Sequence, residues 1–450
     1  MSSDVIVIGS GPGGYKSAVH AAERGFDVKL IEKSRDIGGV CTNQGCIPSK
    51  ALLSIAERVD AIKGARRKGI SANLDEIDLK KGQKVKDRAV QTSRKGILKQ
   101  LEENDVEIIK GEAKINNDKV VEVDEREFEA EHIIIATGSE PIVLPDLNVD
   151  EQNILTSKGA LELDEIPESM VVIGGGYVGI ELAFVFSSFG SKVTIVELMD
   201  SILPNMDRDL VKEIEKVLKR KRIKMITGSK VSQVNGNSPY EVVIEGETEK
   251  TIKTEKILCA VGRKPTPPEM NLDIIGDRGE IITNDYMETS IEGIYAVGDV
   301  TGKSMLAHSA YKHGEIAVKM IDGEKTDGFS HYEVPAGVYT HPEAASVGLT
   351  EKAAEKKFNE IKVGKYPISA SGRGYSTGNR TGIAKIVASD NKIVGIHLVC
   401  PGATDIIMEG TVAMEAGITL EELSDIIHPH PTYSEALKKA AEIAIAVDSP

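Results

Sequence analysis

Short apolar runs that stop on glycine recur along this chain. In "DVIVIGSGPGGYKSAVHAAERGFDVKLIEK" an unbroken apolar run gives way to glycines, then to apolar positions at helical spacing, then to a second apolar run ending in an acid. That order predicts a buried strand, a tight turn, an amphipathic helix and a second strand. It returns in "MVVIGGGYVGIELAFVFSSFGSKVTIVELMD". Three further runs also end in glycine: "HIIIATG" at Gly138, "KILCAVGR" at Gly262, and "GIYAVGD" at Gly298, with Asp299 following. Toward the C-terminus, "GIAKIVASDNKIVGIHLV" reads as a hairpin turning at Asp390 and Asn391, with helical segments after it.

The glycines of the two long units are spaced for phosphate. Gly9, Gly11 and Gly14 form GxGxxG, as do Gly174, Gly176 and Gly179. The first glycine permits the tight turn, the second lets backbone approach a pyrophosphate, and the third lets helix pack on strand. The phosphates would sit at the helix N-terminus. Glu32 and Glu197 follow at the spacing of about 20 residues that suits a ribose hydroxyl. One GxGxxG is weak evidence, because glycine turns also serve packing, but two in register are specific. Two dinucleotides on one chain imply electron exchange between them. Glu197 would repel a 2'-phosphate, and "LMDSILPNMD" after it offers no Arg or Lys, so the second ligand is expected to be NAD rather than NADP. Asp299, after its buried strand, is read as a partner for a cofactor hydroxyl rather than a surface turn.

Length and charge narrow the picture. At 450 residues several domains are expected. The net charge of -15 and the absence of Trp argue against a nucleic-acid partner. The basic stretch from Lys50 to Gln100, with "KGARRKG" and "KKGQKVKDR", reads as a solvated helical face and receives no function. The N-terminus lacks a basic n-region, and the apolar run around Gly174 is short and carries Glu181. A cytoplasmic protein with no membrane partner is expected.

In that compartment the pair in "GGVCTNQGCIPSKALL" stands out, since structural disulfides are rare there. An ideal helix would separate Cys41 and Cys46 by roughly 7.5 Å along its axis, whereas a disulfide needs Cα atoms within about 4.4 to 6.8 Å. If the two pair, the chain between them must leave the helix, and Gly45, with Gly38 and Gly39 upstream, permits it. Pro48 fits the first turn of the helix that follows, which puts Cys46 at a helix N-terminus where a thiolate is favoured. Zinc needs about four ligands, and no nearby His or further Cys joins the pair, so no metal is expected. Cys259 and Cys400 read as buried thiols. Far downstream, "HPHPTYSE" offers His428, His430 and Glu435. Thr432 and Glu435 form a capping-box pattern, which is a structural reading of Glu435, while His430 between two prolines suits a fixed pose.

These motifs, with "AVGRKPT", "YAVGDV" and "VYTHPEAASVGLT", resemble the flavin-dependent pyridine nucleotide-disulfide oxidoreductases along essentially the whole chain. The nearest likeness is to members that oxidise dihydrolipoamide. The resemblance implies an α/β architecture with an FAD-binding domain at 1–148, an NAD-binding domain at 149–265, a central domain at 266–332 and an α+β interface domain at 333–450 that makes a homodimer. It implies a Cys41–Cys46 disulfide, with Cys46 against the flavin and Cys41 toward substrate. Lys50 would lie beside the flavin, paired with Glu181; Lys50, Thr137, Gly138, Asp299 and Ala307 would complete the FAD site, and Gly262 the NAD site. His430 would be the base, oriented by Glu435 and reaching the partner's disulfide, with His428 incidental. A general base is what such chemistry needs, because a dithiol attacks only as thiolate. The implied activity is oxidation of protein-bound dihydrolipoamide with reduction of NAD, the donor being a lipoyl-bearing subunit of a 2-oxoacid dehydrogenase or glycine-cleavage complex. A glutathione-reductase-like enzyme fits "GCIPSK" and Glu197 less well, and a mercuric-reductase-like one would carry a cysteine pair in the tail "AVDSP". A non-catalytic redox sensor is disfavoured by the joint presence of Cys41, Cys46 and His430.

Overall fold

The computed structural model describes residues 2–446. Met1 and residues 447–450, within the tail read above as lacking a cysteine pair, lie outside the described residues. The apolar runs that open the glycine turns are inner strands of parallel sheets. Ser2–Ile8 lies between Val28–Glu32 and Arg126–Ile135, parallel to both, and Glu107–Lys110 pairs beyond Val28–Glu32. Val5, Ile6 and Val7 are all fully buried, so the strand has no solvent face and its sequence does not alternate.

Helices α1 (Pro12–Glu23), α2 (Gly39–Gln44), α3 (Cys46–Gly64) and α4 (Leu79–Glu103) belong to this first unit. The stretch 266–332 joins the same layer: Glu269–Met270 pairs with Lys114–Ile115, and Ile294–Ala296 lies parallel to Arg126–Ile135. In the second unit the short α5 (Ser157–Glu162) precedes Ser169–Ile173, which lies between Lys192–Val196 and Lys256–Cys259 in a five-stranded parallel sheet. Its helices are α6 (Tyr177–Phe189) and α7 (Arg208–Arg220). Nearly all of α6 is buried, which accounts for the apolar run around Gly174: it is a core helix, and among the described residues no helix is long and apolar enough to cross a membrane.

Helix α8 (Ala307–Ile321) packs on α1 and closes the first unit. The last third is a five-stranded antiparallel sheet with α9 (Glu351–Lys357), α10 (Gly372–Thr377), α11 (Ala403–Glu415), α12 (Leu420–Asp425) and α13 (Glu435–Ala446). The expected hairpin forms: Ile383–Ser389 pairs with Lys392–Cys400, and Asp390 and Asn391 take φ of 48° and 62°, the left-handed values a two-residue I′ turn demands.

A buried ionic cluster fastens this last unit to the second. Lys385, 1% exposed, lies 2.7 Å from Asp207, 3.0 Å from Asp209 and 2.6 Å from Glu351. Asp207 also caps α7, accepting from Asp209 N, and accepts from Glu351 N at the start of α9. Burial opposes the charge on Asp207, Asp209 and Glu351, but their lysine and backbone partners outweigh it and hold all three below the usual carboxylate range. Carboxylates depressed in the folded state stabilise it above the unfolded carboxylate range near pH 4 and lose that contribution as pH falls through their folded values. Lys385→Met leaves three carboxylates with one fewer cation, and removal of one partner from a buried pair typically costs about 3–5 kcal/mol. Chemical denaturation at neutral pH should show a loss of that order, and an unchanged midpoint would mean the cluster is not stabilising.

Candidate redox active site

The two glycine turns share one construction. Gly9 has φ +100°, and a Cβ there would lie 2.5 Å from Ala136 O, while a Cβ on Gly14 would lie 1.8 Å from Gly9 O. Gly174 repeats this with φ +108° and 2.3 Å to Ala260 O, and Gly179 with 2.1 Å to Gly174 O. The middle glycines differ in kind: a Cβ on Gly11 or Gly176 meets nothing within 4 Å, so each faces open space at the N-terminus of α1 or α6. Those are the cradles into which a pyrophosphate fits.

The two acids hold their turns directly. Glu32 accepts from Ser10 N at 2.8 Å, Ser10 Oγ at 2.5 Å and Ser34 N at 2.7 Å. Glu197 accepts from Gly175 N at 2.6 Å and Met199 N at 2.8 Å. A carboxylate has about four acceptor sites, so each retains capacity for a ribose hydroxyl. Around the first cradle, buried Thr137 Oγ1 has no protein partner, Gly138 has φ +73°, and Ala307 opens α8. Asp299 accepts from Ser139 Oγ; burial raises its carboxyl pKa, with Ser139 and Arg263 opposing. Residues of this kind fit FAD, whose hydroxyls would engage the orphaned donors and acceptors. Gly262 O accepts from Ile142 N, tying the two connections between the nucleotide units.

Between the cysteines the helix breaks at a single residue. Cys41 lies inside α2, Cys46 is the first residue of α3, and Gly45 between them has φ -141° and ψ -105°. The break is therefore narrower than the sequence suggests, and the helix begins two residues before Pro48. Both cysteines are free thiols. The hydrogen bond from Cys41 lowers Cys46 to about 7; burial opposes this and the Lys50 charge assists. The same contact and burial push Cys41 up, so one sulfur is poised as thiolate and the other as thiol. Cys259 and Cys400 are buried, as expected, and burial raises both.

Lys50 and Glu181 meet. Lys50 Nζ lies 2.8 Å from Glu181 Oε2, and Glu181 Oε1 accepts from Tyr339 N at 3.1 Å. The ammonium also lies 4.2 Å from the centre of the Tyr339 ring. Burial works against the charge on Lys50, and Glu181 outweighs it. One carboxylate thus joins α3, α6 and the third unit beside Cys46.

At the far end, Glu435 serves both readings offered by the sequence. Its Oε1 is 2.8 Å from His430 Nδ1, and its Oε2 accepts from Thr432 N at 2.7 Å. The capping box is only half made, because Thr432 Oγ1 is unpartnered. The His430 side chain is 75% exposed, and among the described residues it has no hydrogen bond or ion pair to its own chain's thiols. His428 is a packing residue, its side chain 5% exposed and bonded to Glu409 at 2.7 Å.

Sequence reasoning missed several neighbours of the thiols. Tyr15 on α1 donates to Tyr311 on α8 at 3.3 Å, and both hydroxyls feel the Cys41 sulfur. Arg94 on α4 grips Asn43 at 2.8 Å and Asp36 at 2.6 Å, bracing α2. No local motif marks these residues; their partners lie far along the chain.

Thiol pair, paired lysine and two nucleotide cradles on parallel sheets define a flavin-type disulfide redox enzyme. A pyridine nucleotide-disulphide oxidoreductase family model matches residues 3–314, and the dimerisation-domain model of the same family matches residues 334–441. The chain belongs to that family, and its cofactors are FAD and NAD. It is 41% identical to a dihydrolipoyl dehydrogenase from Thermus scotoductus, covering 98% of this chain and 96% of the relative, and 38% identical to the mitochondrial one of Pisum sativum, covering 98% and 91%. The fold is also that of the HOCl-induced flavoprotein disulfide reductase RclA from Escherichia coli, with a TM-score of 0.85, 28% identity, and coverage of 98% of this chain and 99% of that one.

The two oxygens of Glu435 can be separated by substitution. Glu435→Gln keeps an acceptor for Thr432 N but removes the anionic partner of His430, so activity should fall on the order of 10²-fold, as for an impaired general base, with little loss of stability. Glu435→Ala should lose about 1 kcal/mol more, the net worth of the hydrogen bond to Thr432 N. Equal activity in the wild type and Glu435→Gln would leave the carboxylate a cap alone.

Proposed function

We propose that this chain is a dihydrolipoyl dehydrogenase, oxidising protein-bound dihydrolipoamide to lipoamide while reducing NAD+ to NADH. The observation that carries the reading is the polarised thiol pair, with Cys46 at the N-terminus of α3 beside the fixed cation of Lys50. Full-length likeness to two dihydrolipoyl dehydrogenases supports the choice of substrate.

In the oxidised enzyme Cys41 and Cys46 share a disulfide. His430, its Nδ1 facing Glu435, uses Nε2 to take a proton from one substrate thiol. The substrate thiolate attacks the Cys41 sulfur, the S–S bond breaks, and its electron pair goes to Cys46, which Lys50 helps hold as thiolate. The second substrate thiol attacks the first substrate sulfur and passes its proton to the departing Cys41 sulfur, closing lipoamide as the mixed disulfide breaks. FAD, when bound, supplies the electron transfer that links the thiols to NAD. Gly9, Gly11, Gly14, Glu32, Thr137, Gly138, Asp299 and Ala307 would hold it, and Gly174, Gly176, Gly179, Glu197 and Gly262 would hold NAD.

His430 is exposed and distant in contact terms from its own thiols, which supports a homodimer in which it serves the partner's pair. The covering domain, 333–450 in this reading, takes the dimerisation role. The protein works in the cytoplasm with a lipoyl-bearing subunit of a 2-oxoacid dehydrogenase or glycine-cleavage complex. The purified FAD-containing enzyme should form NADH from dihydrolipoamide and NAD+, and much less NADPH from NADP+ because Glu197 meets the 2'-phosphate. Cys41→Ser and Cys46→Ser should each abolish turnover. No NADH from the FAD-loaded wild type would overturn the reading.

A further inference from the structure

The basic stretch between Lys50 and Gln100 divides in the structure. On α4, Lys80, Lys81, Lys86, Arg94 and Lys99 are ion-paired, while Lys84, Arg88 and Lys95 are exposed without an ion pair among the described residues. Arg66, Arg67 and Lys68, on the 3-10 turn Ala65–Lys68 that follows α3, are likewise exposed and have no carboxylate partner among the described residues. Asp75 and Glu76, close by in sequence, make no ion pair with them.

This turn does not stand alone. Lys68 Nζ donates to Thr377 O at the end of α10, and Arg220 donates to Thr381 just beyond it. Arg373 and Arg380 flank the same segment; both are exposed and neither has an ion pair among the described residues. Arg380 lies over the ring of exposed Tyr375 at 4.9 Å. Two segments some 300 residues apart therefore assemble one cationic surface on a chain whose net charge is -15.

The surface adjoins the base. A Cβ on Gly372, the first residue of α10, would lie 3.4 Å from His430 Cε1, and Thr377 Oγ1 is 2.7 Å from Tyr433 OH. One short helix has His430 at its start and the cationic residues along and after it.

We propose that Lys68, Arg373 and Arg380, with Arg66 and Arg67, form the docking surface for an acidic face of the protein domain that carries the dithiol. The inference rests on the function proposed above and adds a recognition surface to it. A free dithiol needs only the path to His430, but a carrier domain must place a whole surface beside that path. At a net charge of -15 an acidic carrier is repelled at long range, and at physiological salt, where screening acts over about 8 Å, the local patch decides the encounter. Complementary charge there raises the rate of encounter and makes it fall with salt.

The test compares two substrates on one FAD-loaded dimer. One is free dihydrolipoamide; the other is a recombinant lipoyl domain of net negative charge from a 2-oxoacid dehydrogenase complex, reduced before use. The variant carries Lys68→Glu, Arg373→Glu and Arg380→Glu, all on exposed positions, with FAD content and melting temperature as checks on folding. The KM for the lipoyl domain should rise about tenfold, at the low end of electrostatic steering, and no longer increase with salt, while kcat and the KM for free dihydrolipoamide stay within about twofold. A second variant, Arg66→Gln with Arg67→Gln, should give a smaller rise in the same direction. Equal lipoyl-domain KM in the wild type and the triple variant overturns the proposal, as does a patch-dependent affinity for anionic vesicles or DNA without one for the lipoyl domain. Failure of the wild type with free dihydrolipoamide would instead count against the proposed function, so the two failures are distinct.

Discussion

The ion pair between half-buried Lys50 and buried Glu181 is the interaction on which the redox centre depends. A carboxylate inside a helix as apolar as α6 is costly unless it is paired and hydrogen-bonded. Glu181 meets that condition by drawing one partner from α3 and one, the Tyr339 amide, from the third unit, at 2.8 and 3.1 Å. Three parts of the chain are thereby fixed at one point beside Cys46. The consequence for chemistry is that Lys50 is a stationary cation rather than a mobile surface lysine, and the thiol next to it can hold charge at neutral pH.

That arrangement works only because the helix breaks at Gly45. With Cys41 in one helix and Cys46 opening the next, the two sulfurs stand close enough for a hydrogen bond yet in different fields. Cys46 has the free amides of a helix N-terminus and Lys50; Cys41 has the phenols of Tyr15 and Tyr311. The asymmetry lets one sulfur leave as thiolate while the other exchanges with substrate.

Much of this was legible before any coordinates. The glycine spacing at Gly9 and Gly174 encodes backbone geometry that no other residue permits, so the cradles were readable locally, as was the turn at Asp390 and Asn391. Glu181 was conspicuous because a charge in an apolar helix demands a partner. What was illegible depends on long-range closure: Tyr15 and Tyr311 are 296 residues apart, and Lys385 and Asp207 are 178 apart. Side chains that hold two jobs were also ambiguous. Glu435 holds the Thr432 amide just ahead of α13 with one oxygen and faces His430 with the other, and Glu32 and Glu197, expected to meet a ribose hydroxyl, also brace the glycine turns.

The most direct measurement is the thiolate titration of Cys46, followed by ultraviolet absorbance, in a Cys41→Ser background where a serine hydroxyl still donates and one thiol titrates at the site. Adding Lys50→Met should move the midpoint upward, toward the ordinary thiol value, and slow alkylation of Cys46 at neutral pH. A midpoint that stays where it was, or moves down, would contradict the claim that the Lys50 charge helps hold this sulfur as thiolate.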